Sequence, residues 1–214
     1  MMDFQNVKDE IKSFWNKRDE FSNSDNPVFC GGGDTEFKRI QNLFNTVMPI
    51  ELENYIKEMA PNKEFYFRTV GNAICIYNYG MLSNRIDGYS YNPVIKENID
   101  DWNQDWFLIG DEGGDPIIVD LGQEESNSDK CPVLQAMHGA GEWNFYEISS
   151  SIPQFLLCTA YLHHALSGFD IDEPIIDEDD KLFLADGAAK WFFAKIKECD
   201  PLHYDDWASI FENS

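Results

Sequence analysis

Basic residues are scarce in this sequence. Sixteen lysines and arginines stand against 39 aspartates and glutamates, a formal net charge of −23. Nucleic acid needs a basic surface, and so does an anionic membrane, so neither is expected as a direct partner. A basic protein fits better, since complementary fields speed association and reject wrong partners. Solubility alone also accounts for the charge. Long apolar runs are missing too, and nothing approaches the roughly 18 residues of a membrane span. The amino terminus, MMDFQNVKDEIKSFW, lacks the basic region and apolar stretch of a signal peptide. Cysteines number only five, Cys30, Cys75, Cys131, Cys158 and Cys199. They are odd in number, scattered and without a C-x-x-C, which predicts reduced thiols buried as small hydrophobes in a cytoplasmic protein.

What is present is a core. Of the 214 residues, 43% are hydrophobic and 14% aromatic, which excludes a disordered chain. A chain this long buries roughly 70% of its unfolded surface. One domain with a terminal extension is expected: a helix and linker over residues 1–34, an α+β core over 35–168, and an acidic linker with a helical extension over 169–214.

Helical spacing opens the chain. Phe4, Val7, Ile11 and Phe14 form one stripe, Asp3 can cap it, and Lys17 and Arg18 suit its end. Ser22 to Gly33 reads as a loop. Asp34 can cap a second helix carrying Phe37, Ile40, Leu43 and Phe44. Pro49 opens a third, with Leu52, Tyr55, Ile56 and Met59 on its apolar face and Pro61 just beyond. The period then changes. Phe65–Phe67 and Ala73–Tyr77 flank Gly71-Asn72 as a hairpin, and residues 80–104 read as mostly irregular. Trp106–Ile109, Ile117–Leu121, Pro132–Met137 and Trp143–Ile148 are further strands, joined by polar separators that favour antiparallel pairing. Ser151-x-x-Gln154 is a capping box for a helix with Phe155, Thr159, Leu162 and Leu166 on one stripe and Gly168 at its end. DIDEPIIDEDD reads as an acidic linker. Leu182, Ala185, Ala189, Phe192 and Ile196 trace another helix, and Trp207, Ile210 and Phe211 a short closing one. Strands in one run with helices outside it predict an α+β fold, an antiparallel sheet of about five to six strands flanked by helices.

At the centre stands WFLIGDEGGDPIIVDL. Trp106–Ile109 is an apolar strand, and Gly110 to Pro116 must reverse the chain. Its glycines permit positive φ. Asp111 and Asp115 can bond nearby amides and hold the loop without other support. The segment IGDEGGDPIIVD resembles the signature of the SUKH superfamily, which includes fungal cell-wall-synthesis regulators and many bacterial immunity proteins. That signature is an apolar strand, a GD-x-GGD style loop and an apolar strand ending in Asp. The resemblance continues through Val133-Leu134 to His138, through Trp143, and through Ser149 to Leu156. Upstream, Met48-Pro49 and Tyr55 stand where the family carries an LP-x-x-Y helix start. It spans residues 35–166 and implies an α+β fold without catalysis. Bacterial members of the family are intracellular antidotes to secreted toxins, often nucleases, and fungal ones signalling or scaffold proteins.

Four residues are candidates for partner binding: Asp111, Glu112, Asp115 and Trp143. The three carboxylates also have the chemistry of a cation site, but an EF-hand's longer alternating series and distal Glu are missing, so a structural turn is favoured. Gly31-Gly32-Gly33-Asp34 lacks the Gly-Lys-Ser/Thr of a phosphate loop and reads as a linker and cap. His138 has the chemistry of a general base, yet no nucleophile is assigned beside it. Of His163 and His164 only one can face the core. Trp143, Phe145 and Tyr146 are interface anchors or, more simply, core. No catalytic set, metal or cofactor is expected. The expected function is a non-catalytic, cytoplasmic immunity protein that neutralises a basic toxin. Its alternatives are a regulatory or scaffold module and, last, a hydrolase using His138 with Asp111 or Asp115.

Overall fold

Phe4, Val7 and Ile11 bury one stripe of the first helix, α1 (Phe4–Phe14). The computed structural model describes residues 4–14, 27–83, 86–122, 130–179 and 181–214. Asp3, Lys17, Arg18, Ser22 and Asp180, each assigned a part in the expectations above, lie outside the described residues.

Helix α2 runs Gly33–Gln41 with Gly32 as its cap residue. Asp34 therefore sits inside the first turn and caps nothing by side chain. It suits the helix dipole there and pairs with Lys57 Nζ at 2.8 Å. Leu43 and Phe44 fall beyond the helix, where Phe44 meets the Phe107 ring with centroids 5.2 Å apart. Pro49 does open α3 (Ile50–Asn54), which continues as a π-helical turn over Tyr55–Met59. The wider turn closes with Ala60 N–H donating to Tyr55 O at 2.7 Å, and it buries Tyr55, Ile56 and Met59 together.

The sheet has six antiparallel strands in the order β1 (Phe65–Phe67), β2 (Ile74–Ile76), β5 (Trp106–Glu112), β6 (Asp115–Asp120), β7 (Val133–Gln135) and β8 (Tyr146–Ser149). Between β2 and β5, residues expected to be irregular include a small hairpin of β3 (Tyr91–Asn92) and β4 (Glu97–Asn98). A β-bulge in β5 between Leu108 and Gly110 breaks the strict alternation. Gly110 there lies so close to the Cys75 carbonyl that a β-carbon would meet it.

Helix α4 (Ile152–Ser167) begins as the capping box predicts, with Ser151 Oγ accepting the Gln154 N–H at 3.3 Å. The single stripe expected of it is too narrow, because almost every side chain is buried. It packs on the sheet on one side and against α1 and α5 (Asp186–Cys199) on the other, so no face is left to solvent.

The acidic stretch after α4 is not a linker. Ile175–Glu178 (β9) and Lys181–Leu184 (β10) form a hairpin, and Leu182 belongs to it rather than to α5. Its apolar residues are Ile175, Ile176, Leu182, Phe183 and Leu184, of which Leu184 is buried. The tail fastens it: Glu212 N–H donates to Leu182 O at 2.8 Å, and Asn213 Nδ2 to Leu184 O at 2.8 Å. The last helix, α6 (Tyr204–Ala208), ends before Ile210 and Phe211. Phe4, Phe107, Phe192 and Phe211 all belong to one buried cluster, so the amino-terminal helix, the sheet and the carboxy-terminal helices share a core.

Candidate binding surface

The central loop is tighter than its seven residues imply. β5 and β6 run on until only Gly113 and Gly114 turn, with φ of 62° and 101°. Positive φ at both positions is what a two-residue turn matching strand twist needs. The hairpin is not self-supported. Asp111 Oδ1 accepts the Gly114 N–H at 3.0 Å, but its Oδ2 accepts the Tyr77 hydroxyl at 2.7 Å. Asp115 Oδ1 accepts the His138 N–H at 2.8 Å and lies 2.5 Å from the ring Nδ1. Tyr89 donates to Gly114 O at 2.9 Å. Three neighbouring segments therefore hold the turn.

Strand alternation divides the candidate residues. Asp111 lies on the face away from α4, with Tyr77 and an aromatic layer of Tyr89, Trp102, Trp106, Trp143 and Phe145. Glu112 pairs across the strands with Ile74 and with Asp115, on the α4 face. So Trp143 and Glu112 do not share one site. Trp143 is half-buried in its layer, and its indole Nε1 is buried with no hydrogen-bond partner among the described residues. His138 and Asp115 do meet, but among the described residues no Ser, Thr or Cys side chain bonds to His138. The two helix histidines face different layers. His163 Nδ1 accepts the Arg68 N–H at 2.9 Å beside the sheet, while His164 sits among Phe14, Phe169 and Trp191. Burial holds His164 below the usual imidazole range.

The sheet's α4 face opens, at the hairpin end, into a cleft of about 310 Å³. Buried Ile74, Ile148, Leu162 and Trp207 form its floor, and Glu112 and Asp206 stand at its edge. Tyr146 lies beside them, about half exposed, its hydroxyl pKa raised by burial and then by Glu112, Asp115 and Asp206. Glu112 Oε2 accepts from Gln135 Nε2 at 3.1 Å, while Thr69 Oγ1 lies 3.3 Å from Oε1 but donates to Asn72 O at 2.6 Å. Trp207 is fixed by its indole N–H donating to Ile148 O at 2.9 Å. Asp206 Oδ2 pairs with His203 Nδ1 at 2.8 Å. Asp206 and Trp207 escape a reading of the sequence as site residues, since only the docking of α6 on the sheet brings them to Glu112. Tyr146 alternates with polar neighbours and so reads as core.

All five cysteines are free thiols. Burial raises Cys75 to about 11 and Cys131 to about 12, which leaves them unreactive near neutral pH. Among the described residues no three of His, Cys, Asp and Glu converge to hold a metal ion, and no helix is long and apolar enough to cross a membrane.

These features define an α+β protein with an acidic, cleft-bearing end to its antiparallel sheet. No family model, curated protein or solved structure matches the chain.

Proposed function

We propose that this chain is a non-catalytic, cytoplasmic protein of the immunity type, which binds a basic protein toxin and blocks it. One observation carries the reading. Glu112, Asp115, Glu147 and Asp206 crowd one end of the sheet with only His138 and His203 paired to them, and the cleft bordered by Glu112 and Asp206 has no lysine or arginine in its lining among the described residues. In a chain of net charge −23 this end is left as a negative field for a positive partner. Five free thiols fit a reducing compartment. The resemblance of IGDEGGDPIIVD to the SUKH signature adds the class of partner, a toxin of the polymorphic type.

Co-expression with the toxin encoded beside this chain tests the proposal. Growth is expected to be restored, and the two proteins are expected to co-purify with an affinity that falls as salt rises. Failure to protect, or protection without a complex, overturns it. A complex formed instead with a cell-wall or signalling protein favours the scaffold reading.

A further inference from the structure

We infer that the cleft between the sheet and α6 receives a single arginine side chain from a basic protein partner. The inference rests on the proposed binding of such a partner and says where, and by what chemistry, its main contact is made. The cleft is amphipathic in the same order as the side chain. Ile74, Ile148 and Leu162 offer an apolar floor for a methylene stem, and two carboxylates on separate elements stand where the charged head would emerge. Its volume, about 310 Å³, is at the low end of the roughly 300–1,000 Å³ usual for ligand clefts, which fits one side chain rather than a segment of chain.

Both carboxylates keep capacity for a cation. Glu112 Oε2 takes one donor, from Gln135, and a carboxylate oxygen accepts two, while the Thr69 hydroxyl near Oε1 gives its single proton to Asn72 O at 2.6 Å. The Gln135 bond orients the group before any partner arrives. Asp206 spends Oδ2 on His203, while Oδ1 has no hydrogen-bond partner among the described residues. The half-exposed ring of Tyr146 lines the same cleft and lies near enough for both carboxylates to raise its hydroxyl pKa. A planar guanidinium can stack on that ring and share its five donors between two acceptors, which an ammonium cannot do. Among the described residues no lysine or arginine lines the cleft to compete.

The test titrates the isotope-labelled full chain with Nα-acetyl-arginine N-methylamide, using the norleucine and lysine analogues as comparisons and amide and indole NMR signals as the readout. The expected result is saturable shifts at Val70, Ile210 and the Trp207 indole, at least fivefold stronger for arginine than for norleucine. Asp206→Lys, at an exposed position, should remove the shifts by placing a resident cation at the opening while leaving the rest of the spectrum in place. Glu112→Gln should weaken binding about tenfold. Shifts elsewhere, no saturable shifts, equal binding of norleucine, tighter binding of lysine, or an Asp206→Lys protein that binds like the wild type would each overturn the inference. The titration uses no toxin. A cleft that rejects arginine therefore defeats this inference while protection by co-expression still stands. Arginine binding without any protection does the reverse.

Discussion

The carboxylate of Glu51 accepts the backbone N–H of Ile152 at 3.0 Å, so a side chain of α3 caps the first turn of α4 from across the core. The same oxygen accepts the Cys131 N–H at 3.1 Å, and Glu51 is 1% exposed. Burial raises its pKa against the lowering effect of these bonds. A raised folded-state value means the folded chain holds the proton more tightly than the unfolded one. Glu51 therefore contributes most at low pH, and that contribution is lost as pH rises from about 4.5 through the raised value. Glu51→Gln keeps the acceptor and removes the charge, so its stability relative to wild type should rise between pH 4.5 and pH 7.5 in urea unfolding. Glu51→Ala leaves two buried N–H groups unmet and should cost about 3 kcal/mol at pH 4.5, and less at pH 7.5, because it removes the same titrating group. A Gln variant whose relative stability is flat with pH would show that the carboxyl does not titrate in this range.

The β5–β6 turn makes a sharper prediction. Gly113 has φ of 62°, and a β-carbon there would lie 2.2 Å from Asn72 Nδ2. Left-handed backbone costs an ordinary residue roughly 1–2 kcal/mol before any clash. Gly113→Ala should therefore lower stability by about 2 kcal/mol. Gly71 has no atom within 4 Å of a built β-carbon and no positive φ. Gly71→Ala should change stability by less than about 0.5 kcal/mol. Comparable losses in the two variants would mean that the turn is not held as tightly as its contacts imply.

Much of this fold is legible in residue spacing. The α1 stripe, the Ser151 capping box and the six sheet strands are all local patterns, and local patterns survive folding. Where reading fails, a distant contact decides the outcome. Asp34 looks like a cap, but α2 starts at Gly33, and Asp34 lies in its first turn paired with Lys57. Trp143 looks like the start of β8, but it joins the layer around Trp102, and the strand begins only at Tyr146. DIDEPIIDEDD looks like a solvated run because acidity dominates it, and only its pairing with Lys181–Leu184, itself fastened by Glu212 and Asn213, makes Ile175–Glu178 a strand. The candidate site divides in the same way. Glu112 is visible in the central motif, whereas Asp206 and Trp207 meet it only through the docking of α6, some ninety residues along the chain.

That docking depends on Asp200. The residue is fully buried and takes hydrogen bonds from Ser149 Oγ at 2.6 Å, Ser150 Oγ at 2.6 Å and the Ser150 N–H at 2.8 Å. Gln154 Nε2 adds a bond to Cys199 O at 2.8 Å, so the end of α5 is clamped to the junction of β8 and α4. Asp200→Ala would strand two hydroxyls and an amide in the interior and should cost about 3 kcal/mol. Because Phe192 and Phe211 share one core with Phe107, the loss should fall on the whole molecule. Far-UV circular dichroism and tryptophan fluorescence should then give coincident urea transitions, both shifted to lower urea. If fluorescence moves alone, with the circular dichroism midpoint unchanged, α5 and α6 unfold as a separate unit. The cleft would then be a property of a detachable extension rather than of the sheet.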